Sequence, residues 1–502
     1  MERVMNPFLP LNEYIPDVEP HVFNDRVYVY GSHDREGGTT FCELDYVVYS
    51  ADVKDLTDWT YEGTIYSASQ DPHSTEVVKG GGERKYLYAP DVVQGNDGRY
   101  YLYYCLAAHS GKGGFNGPIS VAVCDTPAGK YEYYGDVKYP DGSLMLRFIP
   151  FDPAVINDEG KIYLYYGWAL PVEPTNSKLV KGIYNKVMQG MLHRTMDEIK
   201  SEAQGIMGAN VVELEADMLT VKSEPKRIIP CEMEAKNTDF EGHAFFEASS
   251  IRRIGSTYYF IYSSFVNHEL CYATSIYPDR DFQYGGVIIS NGDIGMNGRN
   301  PRDRLAITGN NHGSIECIDG NWYIFYHRHT HMSSNSRQVC AERINILNDG
   351  SIPQVEMTSC ALNGGPLEAS GEYPAVIACN LTDGRMPHLT NGSSKKIKPH
   401  ITHRADERFI TNISNRTLIG YKYFNFQGTT RLTVKTRGQG SGTLIISDEP
   451  GKKRAAIKVD ASDTWTLSSV LIELKGTHAL YLTYSGNKSI EFLSFSFEKS
   501  EG

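Results

Sequence analysis

NDEGKIYLYYG, residues 157–167, joins a polar turn to a strand crowded with Tyr, Ile and Leu, and the chain carries this arrangement five times. The other copies are NDRVYVYGS from Asn24, NDGRYYLYYC from Asn96, IGSTYYFIYSS from Ile254 and DGNWYIFYH from Asp319. Each sets a Gly or Asp turn before a short run of aromatic, β-branched and aliphatic residues, the pattern of a hairpin entering a strand. Spaced irregularly by roughly 60 to 100 residues, five such units predict an all-β chain built on a five-bladed β-propeller, one four-stranded sheet per blade. That architecture has a central channel.

What precedes each phrase is as regular as the phrase itself. Counting back eleven from Tyr28, Tyr163, Tyr258 and Tyr323 gives Asp17, Asp152, Glu247 and His312, and counting back ten from Tyr101 gives Asp91. Equivalent positions in radially repeated blades converge on the axis, so these distant residues are expected to meet in one pocket. At a single position, an acidic residue that merely caps a turn is the alternative. Recurrence in all five units favours the shared pocket.

The chain has 502 residues, 40% hydrophobic and 22% charged, which is enough for two or three domains. Its net charge of −12 gives no attraction to nucleic acid or anionic membranes, so a neutral substrate is expected. The nine cysteines contain no CxxC pair, which argues against a disulfide framework or a zinc motif. The start, MERVMNPFLPLNEYIPDVEP, lacks the apolar core of a secretory signal, and a cytoplasmic protein without a membrane span is expected.

The propeller is expected over residues 1–357, with RQVCAERINILNDGSIPQVEMTS returning to close the ring. Between the third and fourth units the stretch from Asn176 places Met188, Met191, Leu192 and Ile199 at helical spacing, predicting a helical insertion on the rim. A linker over 358–375 then leads to a second domain, 376–502. There, runs such as YKYFNFQ, RLTVKTRG and GTLIISDE predict a β-sandwich of the jelly-roll type.

Six segments in order carry a family resemblance: NPFLP at Asn6, IPDVEPHVF around Asp17, YAPDVV at Tyr88, FDPAVINDEG at Phe151, FFEASSI at Phe245 and GNNHGSI at Gly309. Together, over about residues 6 to 356, they resemble glycoside hydrolase family 43, whose members act on arabinose- and xylose-containing plant polysaccharides. The departures are Val18 for the usual Pro, Tyr88 for Trp, and Ala248 where Gly is common. The resemblance implies that Asp17 is the general base, Glu247 the general acid, and Asp152 the carboxylate that positions Glu247 and keeps it protonated. It implies a substrate contact at Arg337, and at His312 either a sugar contact or a ligand to a calcium in the central channel. Asp91 and Trp168 complete the expected sugar-binding set, and no organic cofactor is expected.

The chemistry asks for such a set on its own account. Hydrolysis of a glycosidic bond needs a proton for the leaving oxygen and a nucleophile at the anomeric carbon, and two carboxyl groups in different protonation states supply both. An inverting enzyme holds a water between them, at a separation of about 6.5–9.5 Å that facing blades can provide. Glu19 and Glu241 rival Asp17 and Glu247, but both fall outside the repeat register. His327, His329 and His331 share one strand face, and a structural role is expected for them.

The expected activity is an exo-acting β-xylosidase, α-L-arabinofuranosidase or both, on xylo- or arabino-oligosaccharides. The insertion and the long first loop SHDREGGTTFCELDY are expected to block the channel mouth. The alternatives are a non-catalytic sugar-binding propeller, which needs no carboxylate pair, and a β-fructosidase, whose WMNDPNG and RDP phrases are absent. The second domain resembles family 6 carbohydrate-binding modules, with DTWTLSSVLIELKGTHALYLTYSG carrying the likeness. Trp465, Tyr421, Tyr423 and Phe424 are its candidate sugar platforms. A structural brace or homo-oligomer interface is the equal alternative.

Overall fold

The computed structural model describes residues 3–169, 177–192, 195–197, 207–388 and 395–499. Five antiparallel sheets follow one another along the first part of the chain. Four have four strands in sequence order, spanning Glu19–Tyr66, Tyr86–Asp136, Ala154–Pro230 and Phe245–Ile289, and the fifth has three strands within Ile315–Ile344. These are the propeller blades. Each aromatic phrase supplies the second strand of its blade, as in Lys161–Trp168 and Asn321–His329. Their side chains alternate between the two faces of a blade and fill the aromatic layers between neighbours, so Tyr101, Tyr103, Tyr165, Tyr166 and Tyr262 are all fully buried.

Among the described residues the fifth blade has three regular strands, and the N-terminal NPFLP pairs onto its edge. The Asn6 amide accepts from the Ala341 N–H at 2.9 Å and donates to the Ala341 carbonyl at 3.0 Å, mimicking a neighbouring strand on the edge of Arg337–Ile344. Phe8 then wedges between blades one and five, 4.9 Å from Trp59 and 5.7 Å edge-on from Phe325. The expected returning pair is reduced to the strand Arg337–Ile344 and an isolated bridge from Val355 to Ile289.

The insertion contains the helix Lys178–Leu192, which packs near the Gly114–Asn116 turn, with Met188 buried in the core shared by blades two and three. Ile199 lies outside the described residues. No described helix is long and apolar enough to cross a membrane.

Ten strands form the second all-β unit, dominated by the antiparallel pair Leu418–Gly438 and Ser462–Gly486. Its core is apolar and aromatic, with Phe424, Phe426, Phe492, Phe495 and Phe497 among its buried residues. Within 358–375, Leu367–Glu368 and Gly371–Pro374 pair into this sheet, so that segment is in part a piece of the second unit. The candidate sugar platforms are otherwise engaged. Tyr421 and Phe424 are core residues, Tyr423 donates its hydroxyl to Glu356, and Arg437 covers the Trp465 ring at 4.0 Å.

Charged contacts fasten the two units. Lys422, buried, reaches Asp293 at 2.8 Å and Glu356 at 2.7 Å, and Arg408 grips both oxygens of Glu36. Removing one partner of such a buried pair strands the other charge, at a cost of about 3–5 kcal/mol. Nine cysteines are free thiols.

Candidate active site

The inner strands explain the offset of eleven. Asp17 and Asp152 each stand two residues ahead of an inner strand, Glu19–Phe23 and Ala154–Asp158, where the chain turns out of the channel. His312 stands three ahead of Ile315–Ile318, and Glu247 occupies a bulged start of Phe245–Ile254. The turn is tight. Asp17, Asp152 and Ala248 have φ of 56°, 46° and 68°, in the left-handed region that costs an L-residue about 1–2 kcal/mol. At Ala248 this is the conformation a Gly would adopt freely.

Asp17, Asp152, Glu247 and His312 line one cavity of about 300 Å³, together with Arg337 and Trp168. Six of the seven expected residues therefore meet. The exception is Asp91, expected as a substrate contact, which does not line the cavity. Asp91 pairs with Tyr103 as Glu19 pairs with Tyr30, so it holds the register of Glu19; the turn position equivalent to Asp17 falls at Ala89, and Tyr88 beside it lines the mouth. Both oxygens of Asp91 are used between blades: Oδ1 meets His21 at 2.6 Å and the Val92 N–H at 2.8 Å, and Oδ2 accepts from the Val155 N–H at 2.7 Å. The offset of ten marked a different position.

Asp17 is held from two sides. Arg337 donates to Oδ1 at 2.8 Å, while Asp34 takes the rest of the guanidinium through contacts of 2.8 and 3.0 Å. From behind, the Asp17 N–H donates to His327 Nδ1 at 3.3 Å, and His327 Nε2 lies 2.8 Å from the Asn310 carbonyl. That pairing makes Nε2 the protonated nitrogen. It agrees with burial and the Arg337 charge pushing His327 far below the usual histidine range. Among the described residues no group donates to Asp17 Oδ2, which leaves a lone pair for a proton.

Glu247 has the opposite surroundings. No described residue offers its carboxyl a hydrogen bond, and burial, then the charges of Asp152 and Asp17, push it well above the usual carboxylate range. Its residue surface stays partly open to the cavity, which a proton donor requires. Asp152 is fixed by the Ala248 N–H, 2.9 Å from Oδ2, one residue from Glu247. Burial and Asp17 raise Asp152 to about 6, against the lowering pull of His312. Burial pulls His312 down, but the facing Glu19 and the charges of Asp152 and Asp17 outweigh it and raise it to about 9.

Beneath the carboxylates, His312 Nε2 and Glu19 Oε1 are buried atoms without a hydrogen bond, 3.8 Å apart. Arg252 holds the other Glu19 oxygen at 3.1 Å. Calcium takes six to eight oxygen ligands, and one free carboxylate oxygen with one imidazole is far short of a protein cage. The pair fits an ion that keeps most of its own water.

An aromatic collar surrounds the mouth. Trp168 stacks on Phe115 at 5.1 Å with planes 17° apart, and Phe41, Tyr88, Phe151 and Phe246 complete it. His268 joins from the turn after the second strand of blade four, 4.4 Å from Phe246 and without a hydrogen bond at Nδ1. Of the collar, sequence reasoning named Trp168 and missed the others, although Tyr88 and Phe151 head two of the segments quoted above. It also missed Asp34, which positions Arg337, and named His327 for a structural role without its contact to Asp17.

Three carboxylates converging on an aromatic pocket in a β-propeller suit the cleavage of a glycosidic bond. The profile of "Glycosyl hydrolases family 43" matches residues 5–352, and the chain belongs to that family and is a glycoside hydrolase. It is 46% identical over 506 residues to a xylosidase/arabinosidase of Thermoclostridium stercorarium, covering 98% of each chain. It is 30% identical to a xylosidase/arabinosidase of Bacteroides ovatus over 64% of this chain and 87% of that one. The fold is shared with a family GH43_1 enzyme from Xanthomonas citri, with a TM-score of 0.51 at 23% identity over 71% of this chain and 94% of the other.

Proposed function

We propose that this chain is an exo-acting β-xylosidase, α-L-arabinofuranosidase or both, working on hemicellulose oligosaccharides by a single inverting displacement. The observation that carries the reading is the contrast between two carboxyl groups in one pocket: among the described residues Glu247 has no hydrogen-bond partner and is pushed upward, while Asp17 is tied to Arg337 at one oxygen and open at the other. In this reading Asp17 Oδ2 takes a proton from water as the water oxygen bonds to the anomeric carbon. The bond from that carbon to the leaving oxygen breaks, and Glu247 gives its proton to that oxygen. Asp152, fixed by the Ala248 N–H, supplies the negative charge that keeps Glu247 protonated. The names of the two relatives above, each carrying both activities, support the substrate class.

Exo action is proposed from the collar. Phe41 comes from the long first loop and Phe115 from the segment stacked on Trp168, and they narrow a cavity that is small for a ligand site. Proton NMR of xylo- and arabino-oligosaccharide digests tests both parts. Single sugars leaving with inverted anomeric configuration are expected; a retained first-formed anomer overturns the mechanism, and internal cleavage products overturn exo action.

A hydrated calcium beneath the pocket, held by Glu19 and His312, is also proposed. It would supply positive charge under the three carboxylates and lower His312 towards neutrality. Calcium-selective chelation should lower the melting temperature and added calcium restore it; an unchanged melt of calcium-free protein withdraws the ion. For the second unit a bracing role is proposed, supported by the buried or covered state of its aromatic candidates.

A further inference from the structure

Outside the pocket, on blade four, three side chains of metal-binding type meet. They are His243, in the turn before Phe245–Ile254, and Glu269 and Cys271 at the start of the strand Leu270–Ser275. A nitrogen, an oxygen and the sulfur lie within 4.8 Å of one another. Two of the three residues present atoms that are buried and unmatched. His243 Nδ1 and Glu269 Oε2 are each shut off from solvent without a hydrogen bond, although they face one another at 3.5 Å. Leaving a buried polar atom unpaired costs about 1–3 kcal/mol, and more when the atom is charged.

The surroundings make the deficit specific. Glu269 is 6% exposed, and no described Lys or Arg forms an ion pair with it. Tyr284 stacks on the His243 ring at 4.7 Å, with planes 12° apart, which fixes the plane of the imidazole. Cys271 is fully buried beside them, so its sulfur closes the third side of the cluster. A set of one imidazole, one carboxylate and one thiolate is borderline-soft and suits zinc rather than calcium or magnesium.

We propose that His243, Glu269 and Cys271 form a site for a zinc-class divalent cation, with water as the fourth ligand. His243, about a third exposed at 35% of its side-chain surface, gives the ion its path in. On binding, the Cys271 sulfur bonds to the metal and its proton passes to solvent. The ion bolts the turn leading into Phe246 and Glu247 to the segment carrying His268, two elements already in contact where His268 packs on Phe246. It therefore braces one wall of the pocket from outside.

The test uses the full chain loaded with zinc, dialysed and assayed by elemental analysis, with cobalt as a spectroscopic stand-in. One zinc per chain is expected, and the cobalt form should show thiolate-to-metal charge-transfer absorption. His243→Ala, a partly exposed position that spares the core, and Cys271→Ser should each weaken zinc binding by roughly 100-fold or more, since even outer-sphere changes cost 10- to 100-fold. Cys271→Ser should also abolish the charge-transfer band, and Cys317→Ser should keep it. A wild-type chain that retains no zinc, or unchanged affinity in either His243→Ala or Cys271→Ser, overturns the site.

Discussion

Asp17→Asn is expected to lower turnover by roughly 10³- to 10⁴-fold, the upper part of the range for a positioned acid or base, while the protein stays folded. Asn suits the position because it tolerates the left-handed backbone that Asp17 adopts at φ 56°. The change also leaves Arg337 paired, because Asp34 holds that guanidinium through two contacts of its own. What is lost is the acceptor at Oδ2, the atom open to a water. KM should move little, since the aromatic collar is untouched, and the melting temperature should stay within a few degrees. The measurement is kcat on an aryl glycoside alongside a thermal melt; near-wild-type turnover in a folded variant would remove Asp17 from the reaction.

The positions that were legible in the sequence are those fixed by the repeat. The aromatic phrases mark the second strand of every blade because that strand is buried on both faces, and burial leaves a compositional trace. Asp17, Asp152, Glu247 and His312 followed from counting because the hairpin between the first and second strands has nearly constant length. The hairpin of blade two is longer, running from Gln94 to Tyr100, so the count lands on the equivalent of Glu19 and Asp91 lies between blades rather than in the cavity. The collar was harder to read, since Phe41, Phe115 and His268 come from connections of unequal length with no shared register. Lys422 was also illegible: in YKYFNFQ it reads as the solvent side of an alternating strand, and only the propeller's Asp293 and Glu356 make its burial tolerable. The closing of the ring by Asn6 depends on a side chain imitating a backbone, which no strand pattern records.

Glu247→Gln should separate substrates by their leaving group. For a natural oligosaccharide the departing alkoxide needs a proton, and turnover should fall by roughly 10³-fold, within the usual contribution of a general acid. For a dinitrophenyl glycoside the leaving oxygen departs without help, and most of the rate should survive. Equal losses on both substrates would show that Glu247 does something other than donate a proton. Asp152→Asn provides the complementary test. In the native pocket burial, then the Asp152 and Asp17 charges, hold Glu247 above its ordinary range, so the acid stays loaded through neutral pH. Removing the Asp152 charge lowers the Glu247 pKa, so its proton is lost earlier as pH rises. The alkaline limb of the kcat/KM profile should therefore move to lower pH. A merely structural Asp152 would reduce the rate at every pH and leave that limb in place.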